Sequence, residues 1–322
     1  MEGENALVSG IRGWSLADVP DQSGRIAIVT GANTGIGWWT AFGLASRGAH
    51  VVLACRSMPN ADAAAARLRA AVPAARVETQ RLDVSDLASV HAFADAILAR
   101  HPRLDLLVNN AGIAWAPQQA SAQGHELHLA TNFLGPFALT ARLVDRLKAT
   151  PGARIVNVGS NEHHAGRLDF DDLDWQRRTF ASRLAYAQSK VAMLSFTLEL
   201  DRRLRRASSG LVALAAHPGF SSTDIARNSR MPLMDWWIGR LSIAIAARIF
   251  QGAEAGAMPL LDAATNPALA GGAYRGPQRW FGTTGDPGPA RVAKAARDPD
   301  AARRLWTCAE TMTGTHFPDW LA

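Results

Sequence analysis

Tyr186 and Lys190 stand four residues apart in a segment of helical spacing, which puts a phenol and an ammonium on one helix face. A free tyrosine, with a pKa of about 10, is a poor acid–base group at neutral pH. A neighbouring ammonium favours the phenolate and is predicted to pull that value down, so that the phenol can exchange a proton with an alcohol or carbonyl oxygen. Ser160 ends an apolar run upstream of Tyr186. Its hydroxyl suits a hydrogen bond to a substrate carbonyl, and it reads as well as a helix cap or loop residue. Asn132 falls inside a predicted helix, where asparagine is a costly choice; a functional role and a satisfied core amide fit it equally.

A second chemistry-bearing stretch is Thr30 to Gly37, T-G-A-N-T-G-I-G. It follows the apolar run Ile26, Ala27, Ile28, Val29 and precedes Ala41, Leu44 and Ala45 at helical spacing. Strand, glycine loop, helix is the context in which such a motif binds a pyrophosphate. Gly31 would make the turn, Gly35 would admit phosphate to the backbone, and Gly37 would let the helix close on the strand. The helix N-terminus adds free N–H groups and partial positive charge. A glycine-rich turn without a ligand has the same spacing.

The elements that must position these groups alternate six times between strand and helix. Strands are predicted at 26–29, 50–55, 76–82, 104–108, 154–158 and 211–216, with a last short one at Ala273-Tyr274. Helices are predicted from the glycine loop to about Ser46, at 61–71, from Leu87, and at about 122–148, 180–206, 252–264 and 300–312. This is an α/β pattern: a Rossmann-type, doubly wound parallel sheet of about seven strands with helices on both faces. We read residues 1–24 as a surface arm, pinned by Trp14 and Leu16, and 25–322 as a single domain. In such sheets ligands bind at the carboxyl ends of strands. Polar and glycine residues gather there: Arg56-Ser57, Asp83-Val84, Asn109-Asn110-Ala111-Gly112, Gly159-Ser160 and His217-Pro218-Gly219.

Composition excludes several other classes. The 322 residues carry a net charge of +6, almost all of the positive charge as arginine. The cluster Arg202, Arg203, Arg205, Arg206 reads as a solvated helix end, because no aromatic-interleaved basic stripe accompanies it; no nucleic-acid partner is expected. Two cysteines build no disulfide framework, and Cys55, in an apolar strand, is expected to be a buried thiol. There is no metal-ligand spacing, and His163-His164 reads as a surface pair. No secretory signal or membrane span is visible. The expectation is a soluble, cytoplasmic protein.

With these motifs in order, the sequence resembles the classical type of the short-chain dehydrogenase/reductase family, over about Ser23 to Gly219 and more loosely throughout. The retinol-dehydrogenase-like and WW-domain-oxidoreductase-like branch is similar in V-V-L-A-C-R, R-L-D-V-S-D, F-D-D-L and G-G-A-Y-x-G-P. The resemblance implies that Tyr186 is the general acid for carbonyl reduction and that Lys190 lowers its pKa and holds the nicotinamide ribose. It implies that Ser160 orients the carbonyl and Asn132 anchors a water. Gly31, Asn33, Thr34, Gly35, Ile36 and Gly37 would cradle the cofactor. Asp83 and Val84 would face its adenine, Asn109, Ala111 and Gly112 would line it, and Pro218, Gly219 and Thr223 would close its nicotinamide end. Family habit implies a homodimer or homotetramer. The departures are Trp38-Trp39 at the start of the first helix and Gly159 where a serine often precedes the catalytic one.

Cofactor choice follows from charge. NAD binders place Asp or Glu at the end of the second strand, on the ribose 2′-hydroxyl. Here that end reads Leu53-Ala54-Cys55-Arg56, followed by Ser57, with no carboxylate. The Arg56 fork suits a 2′-phosphate, so NADP(H) is expected over NAD(H). Residues 220–250, with Met231, Leu233, Met234, Trp236, Trp237, Leu241, Ile243 and Ile245, are the expected substrate lid. A bulky apolar lid points to a small lipophilic ketone, aldehyde or alcohol; plain helix packing fits that stretch equally, and membrane-surface contact is a third reading.

Overall fold

The structure, a computed structural model, describes residues 14–219 and 252–321. The expected lid and Thr223, with the first thirteen residues of the arm, lie outside them.

Eight strands form one sheet in the order β3-β2-β1-β4-β5-β6-β7-β8. They are β1 (Ile26–Thr30), β2 (His50–Cys55), β3 (Arg76–Arg81), β4 (Leu106–Asn109), β5 (Arg154–Val158), β6 (Val212–Ala216), β7 (Tyr274–Arg279) and β8 (Thr284–Pro289). The first seven are parallel, with registers such as Ile28↔Val52 and Val108↔Val156, and β8 runs antiparallel to β7. The order reverses between β1 and β4, which opens a crevice at their carboxyl ends.

Alternate strand residues feed opposite cores. Ile28, Val52, Leu107, Ile155 and Ala213 face one layer. That layer holds α3 (Leu87–Arg100), α5 (Gly135–Lys148), α6 (Ser182–Arg206) and α9 (Pro299–Thr313). Val29, Val51, Leu53, Val108 and Leu214 face the other, with α1 (Gly35–Ala45), α2 (Met58–Ala71) and α7 (Ala253–Thr265). Both faces of the central strands are buried, which is why β1, β2, β4, β5 and β6 read as largely apolar runs. Trp14 and Leu16 pack against the second core, as expected of the arm, and so does Trp39. Trp38 stacks on Phe42 and donates its indole N–H to the Ala64 carbonyl, joining α1 to α2.

Three differences from the sequence reading matter. The helix expected over 122–148 is a single turn, α4 (Leu127–Leu129), then a π turn at Ala130–Leu134, then α5. Glu126 starts it by accepting from the His128 and Leu129 amides. The sheet gains an eighth strand, β8. Finally, His163 is fully buried in a 3-10 turn (Asn161–Ala165); only His164 is exposed. A short helix α8 (Lys294–Arg297) leads into α9. Among the described residues no helix is long and apolar enough to cross a membrane, and no cluster could hold a metal ion.

Candidate active site

The crevice holds a cleft of about 360 Å³, lined by Gly31, Asn33, Thr34, Gly35, Ile36, Gly37, Arg56, Asp83, Val84, Ala111 and Gly112, among others. Gly31 and Gly35 take φ of +66° and +56°, a region that side chains strain to enter. The glycines thus turn the chain from β1 into α1. Thr34, the N-cap residue, makes no side-chain capping bond, and the first turn carries no acid. The amides at that helix end are therefore free of side-chain capping and face the cleft, as an anion site requires. Asp83 is turned inward on Ser85, accepting from its amide and hydroxyl.

Two expected cleft residues are placed elsewhere. Asn109 is the last residue of β4, and its amide group points into the α5 layer, donating to Thr140 Oγ1 and Asn157 Oδ1. Strand alternation gives the next residue the opposite direction. Asn110 lines the cleft and donates to the Thr30 carbonyl, while Thr30 Oγ1 accepts the Asn110 and Ala111 amides. Ser57 is the N-cap residue of α2 and is not among the cleft lining.

The cleft continues, through the shared Ile36, Asn110, Gly112, Ile113 and Ala114, into a chamber of about 120 Å³. Ser160, Tyr186, Lys190, Pro218 and Gly219 line it. Ser160 arrives at the end of β5, and Tyr186 and Lys190 one turn apart on α6. Lys190 Nζ donates to the Val158 carbonyl at 2.9 Å and lies 5.7 Å from the centre of the Tyr186 ring. The Ser160 hydroxyl is hydrogen-bonded to Tyr186; it also accepts the Glu162 amide, so its capping and site readings coexist.

The expected acidification of Tyr186 is not what the structure shows. Burial pushes its pKa up to about 12, against the lowering effect of the Ser160 hydrogen bond. Burial also lowers Lys190 to about 8. In the protein alone, desolvation of the phenolate dominates, and the Glu162 charge adds to it.

Asn132 sits in the π turn, 1% exposed and outside both linings. Its Oδ1 accepts the Ile113 amide, and its Nδ2 donates to the Ile113 carbonyl and to Ser189 Oγ, each at 2.9 Å. Ser189 in turn donates to the Tyr186 carbonyl. Asn132 therefore ties the chamber wall to α6. π turns concentrate at functional sites, and here the turn carries the residue that local propensity disfavours.

Trp115 and Glu162, passed over in the sequence, also line the chamber. Trp115 takes φ +53°, a strained value for a bulky side chain. Its neighbour Ala116 is held on both sides, its amide donating to His128 Nε2 and its carbonyl accepting from Ser182 Oγ. The ring meets Tyr186 edge-on at 6.4 Å. The left-handed backbone at Trp115 leaves no residue-type signal in the chain.

Comparison with known proteins agrees with this geometry. The family described as short chain dehydrogenase matches residues 25–233. Retinol dehydrogenase 13 of Mus musculus is 37% identical over 93% of this chain and 86% of its own length. A crystal structure of an uncharacterized protein from Mycobacterium Paratuberculosis is 40% identical, with a TM-score of 0.79 over 95% of this chain and 99% of that one. A gluconate 5-dehydrogenase-like protein from Beutenbergia cavernae, solved with bound NADP, is 26% identical with a TM-score of 0.60, over 79% of this chain and 95% of that one. The chain belongs to the classical short-chain dehydrogenase/reductase family, on its retinol-dehydrogenase-like branch, and is an NAD(P)-dependent oxidoreductase.

Proposed function

We propose that the protein interconverts a lipophilic aldehyde or ketone with its alcohol, using NADP(H) and Tyr186 as the proton-transferring group. The observation that carries this reading is the continuity of the two cavities: the glycine cleft opens into the chamber where Ser160, Tyr186 and Lys190 converge.

The donor set fits a dinucleotide. The uncapped helix end would take the pyrophosphate, and Asp83 and Val84, in the same lining, would flank the adenine end. Arg56 lines the same end, which has no carboxylate from β2 to claim a ribose hydroxyl. When bound, the nicotinamide supplies or accepts the hydride. The chain's own groups do the rest. Ser160 holds the substrate oxygen beside the Tyr186 hydroxyl. Tyr186, protonated at neutral pH, donates its proton to that oxygen as the carbonyl is reduced. Lys190, on α6, would hold the nicotinamide ribose and stabilise the phenolate left behind. Asn132 keeps the Ile113 wall in register with Tyr186. Pro218 and Gly219, in the chamber lining, would close the nicotinamide end. A retinoid is the first substrate to try, since mouse retinol dehydrogenase 13 aligns over most of both chains.

The test is steady-state reduction of retinal and a panel of apolar aldehydes and ketones, with NADPH and NADH in parallel. The reading expects kcat/KM at least about ten-fold higher with NADPH, the scale of a charge-assisted contact to the 2′-phosphate. A preference for NADH would remove Arg56 from its role, and turnover confined to charged, polar carbonyls would remove the lipophilic substrate.

A further inference from the structure

Among the described residues, the charged ones that line the chamber are Lys190 and Glu162, and of these Glu162 stands outside the reacting set. It lies two residues beyond Ser160 and its amide donates to Ser160 Oγ. Its carboxylate is gripped by Arg183, three residues before Tyr186, with Nε–Oε2 at 2.9 Å and Nη2–Oε1 at 3.3 Å. The partners are unequally solvated: the Arg183 side chain is 69% exposed, that of Glu162 14%. Water and salt screen the guanidinium far more than the carboxylate, so the chamber feels mainly the negative charge. The same charge also opposes ionisation of the Tyr186 phenol. Lys190, the one cation in the lining among the described residues, is directed onto the Val158 carbonyl.

From this arrangement we infer that the Glu162–Arg183 pair is a charge filter at the rim of the substrate chamber, admitting uncharged carbonyl compounds and rejecting carboxylates of the same shape. An entering carboxylate meets a like charge in a partly dry wall, where the repulsion is weakly screened. A neutral carbonyl compound pays nothing of the kind. The filter rests on the carbonyl reading above and narrows its substrate class.

The experiment compares 4-acetylbenzoate with its methyl ester, two ketones that differ in one charge. Binding to the protein with NADP⁺ is read by intrinsic tryptophan fluorescence, Trp115 being in the same wall, so no turnover is needed. In the wild type the acid should bind about ten-fold more weakly than the ester. Glu162→Gln should bring that ratio close to unity, whereas Arg183→Ala, which leaves the carboxylate unopposed, should widen it. These opposite directions separate a filter from a clamp, because a clamp between the Ser160 turn and α6 would respond alike to loss of either partner. Equal binding of acid and ester by the wild type, or parallel shifts in the two variants, overturns the filter. Binding of neither probe overturns the carbonyl chamber and the filter together. Turnover is read separately with NADPH in place of NADP⁺: discrimination in binding with no reduction of either ketone keeps the filter and overturns the reductase reading alone.

Discussion

The chemistry turns on single groups, and the most telling is Tyr186. Its hydroxyl is buried and its pKa is pushed up to about 12. A raised value keeps the acid form present through neutral pH. Carbonyl reduction, which needs that form, should therefore be flat across neutral pH and decline only as pH rises toward the phenol's own value. Alcohol oxidation needs the phenolate and should rise with pH over the same range; initial rates in both directions would check this. At the far end of the cleft, Arg56→Ala should raise KM for NADPH about ten-fold or more and leave KM for NADH nearly unchanged. Most of these residues are legible in the sequence because each ends a strand or follows a glycine loop. Asn109 is not, since which of two adjacent asparagines faces the cleft depends on strand phase at the terminus. Glu162 is not either, because its meaning comes from Arg183, which reaches it from another element.

At the level of elements, the β5 end and β7 meet with no space to spare. A Cβ built on Gly159 would come 2.8 Å from the Tyr274 hydroxyl. That hydroxyl is buried and has no hydrogen-bond partner among the described residues. Gly159→Ala should therefore destabilise the fold by about 1–3 kcal/mol through overpacking. Tyr274→Phe, which removes the unpaired oxygen but leaves the ring edge at 3.0 Å, should recover part of that loss in the double variant; a thermal-denaturation cycle measures the coupling. Five strand positions, β1, β2, β4, β5 and β6, are legible because buried parallel strands are largely apolar runs. The strand β8 is not: T-G-D-P-G-P has neither alternation nor β-propensity, and it exists because β7 offers it an edge. The π turn is hidden for a similar reason. Its pattern reads as α-helix, and the bulge is fixed by the bonds of Asn132 to Ile113 and Ser189.

On the scale of the whole molecule, buried imidazoles set the response to acid. His163 and His217 are held neutral, at about 4 and about 3, chiefly by burial. Their native values lie below the ordinary value of about 6.5. Between those limits the unfolded chain takes up protons that the native one refuses, so stability is full above about pH 6.5 and falls as pH drops through the window. His125 acts the other way. Its bond to Asp174 raises its value, so its contribution is present at low pH and is lost as pH rises through that value. Two deeply buried imidazoles outweigh one half-buried, and a net loss of stability on acidification follows. His163→Gln, which can still donate to Ser160 and accept from Ala293, should flatten that slope by about 1–3 kcal/mol between pH 6.5 and 4, measured by urea denaturation. None of this is legible in His163-His164 as a sequence pair, because β7 and the 290s segment bury one of them from a distance in the chain. The overall α/β architecture is legible, because six strand–helix alternations leave few other arrangements. The account depends most on Tyr186 as proton donor beside the dinucleotide cleft. The direct measurement is NADPH binding and NADPH-dependent carbonyl reduction by the wild type and Tyr186→Phe, side by side. The account predicts undiminished NADPH binding with turnover reduced about 10²-fold or more in the variant. Turnover by Tyr186→Phe within a few-fold of the wild type would contradict it.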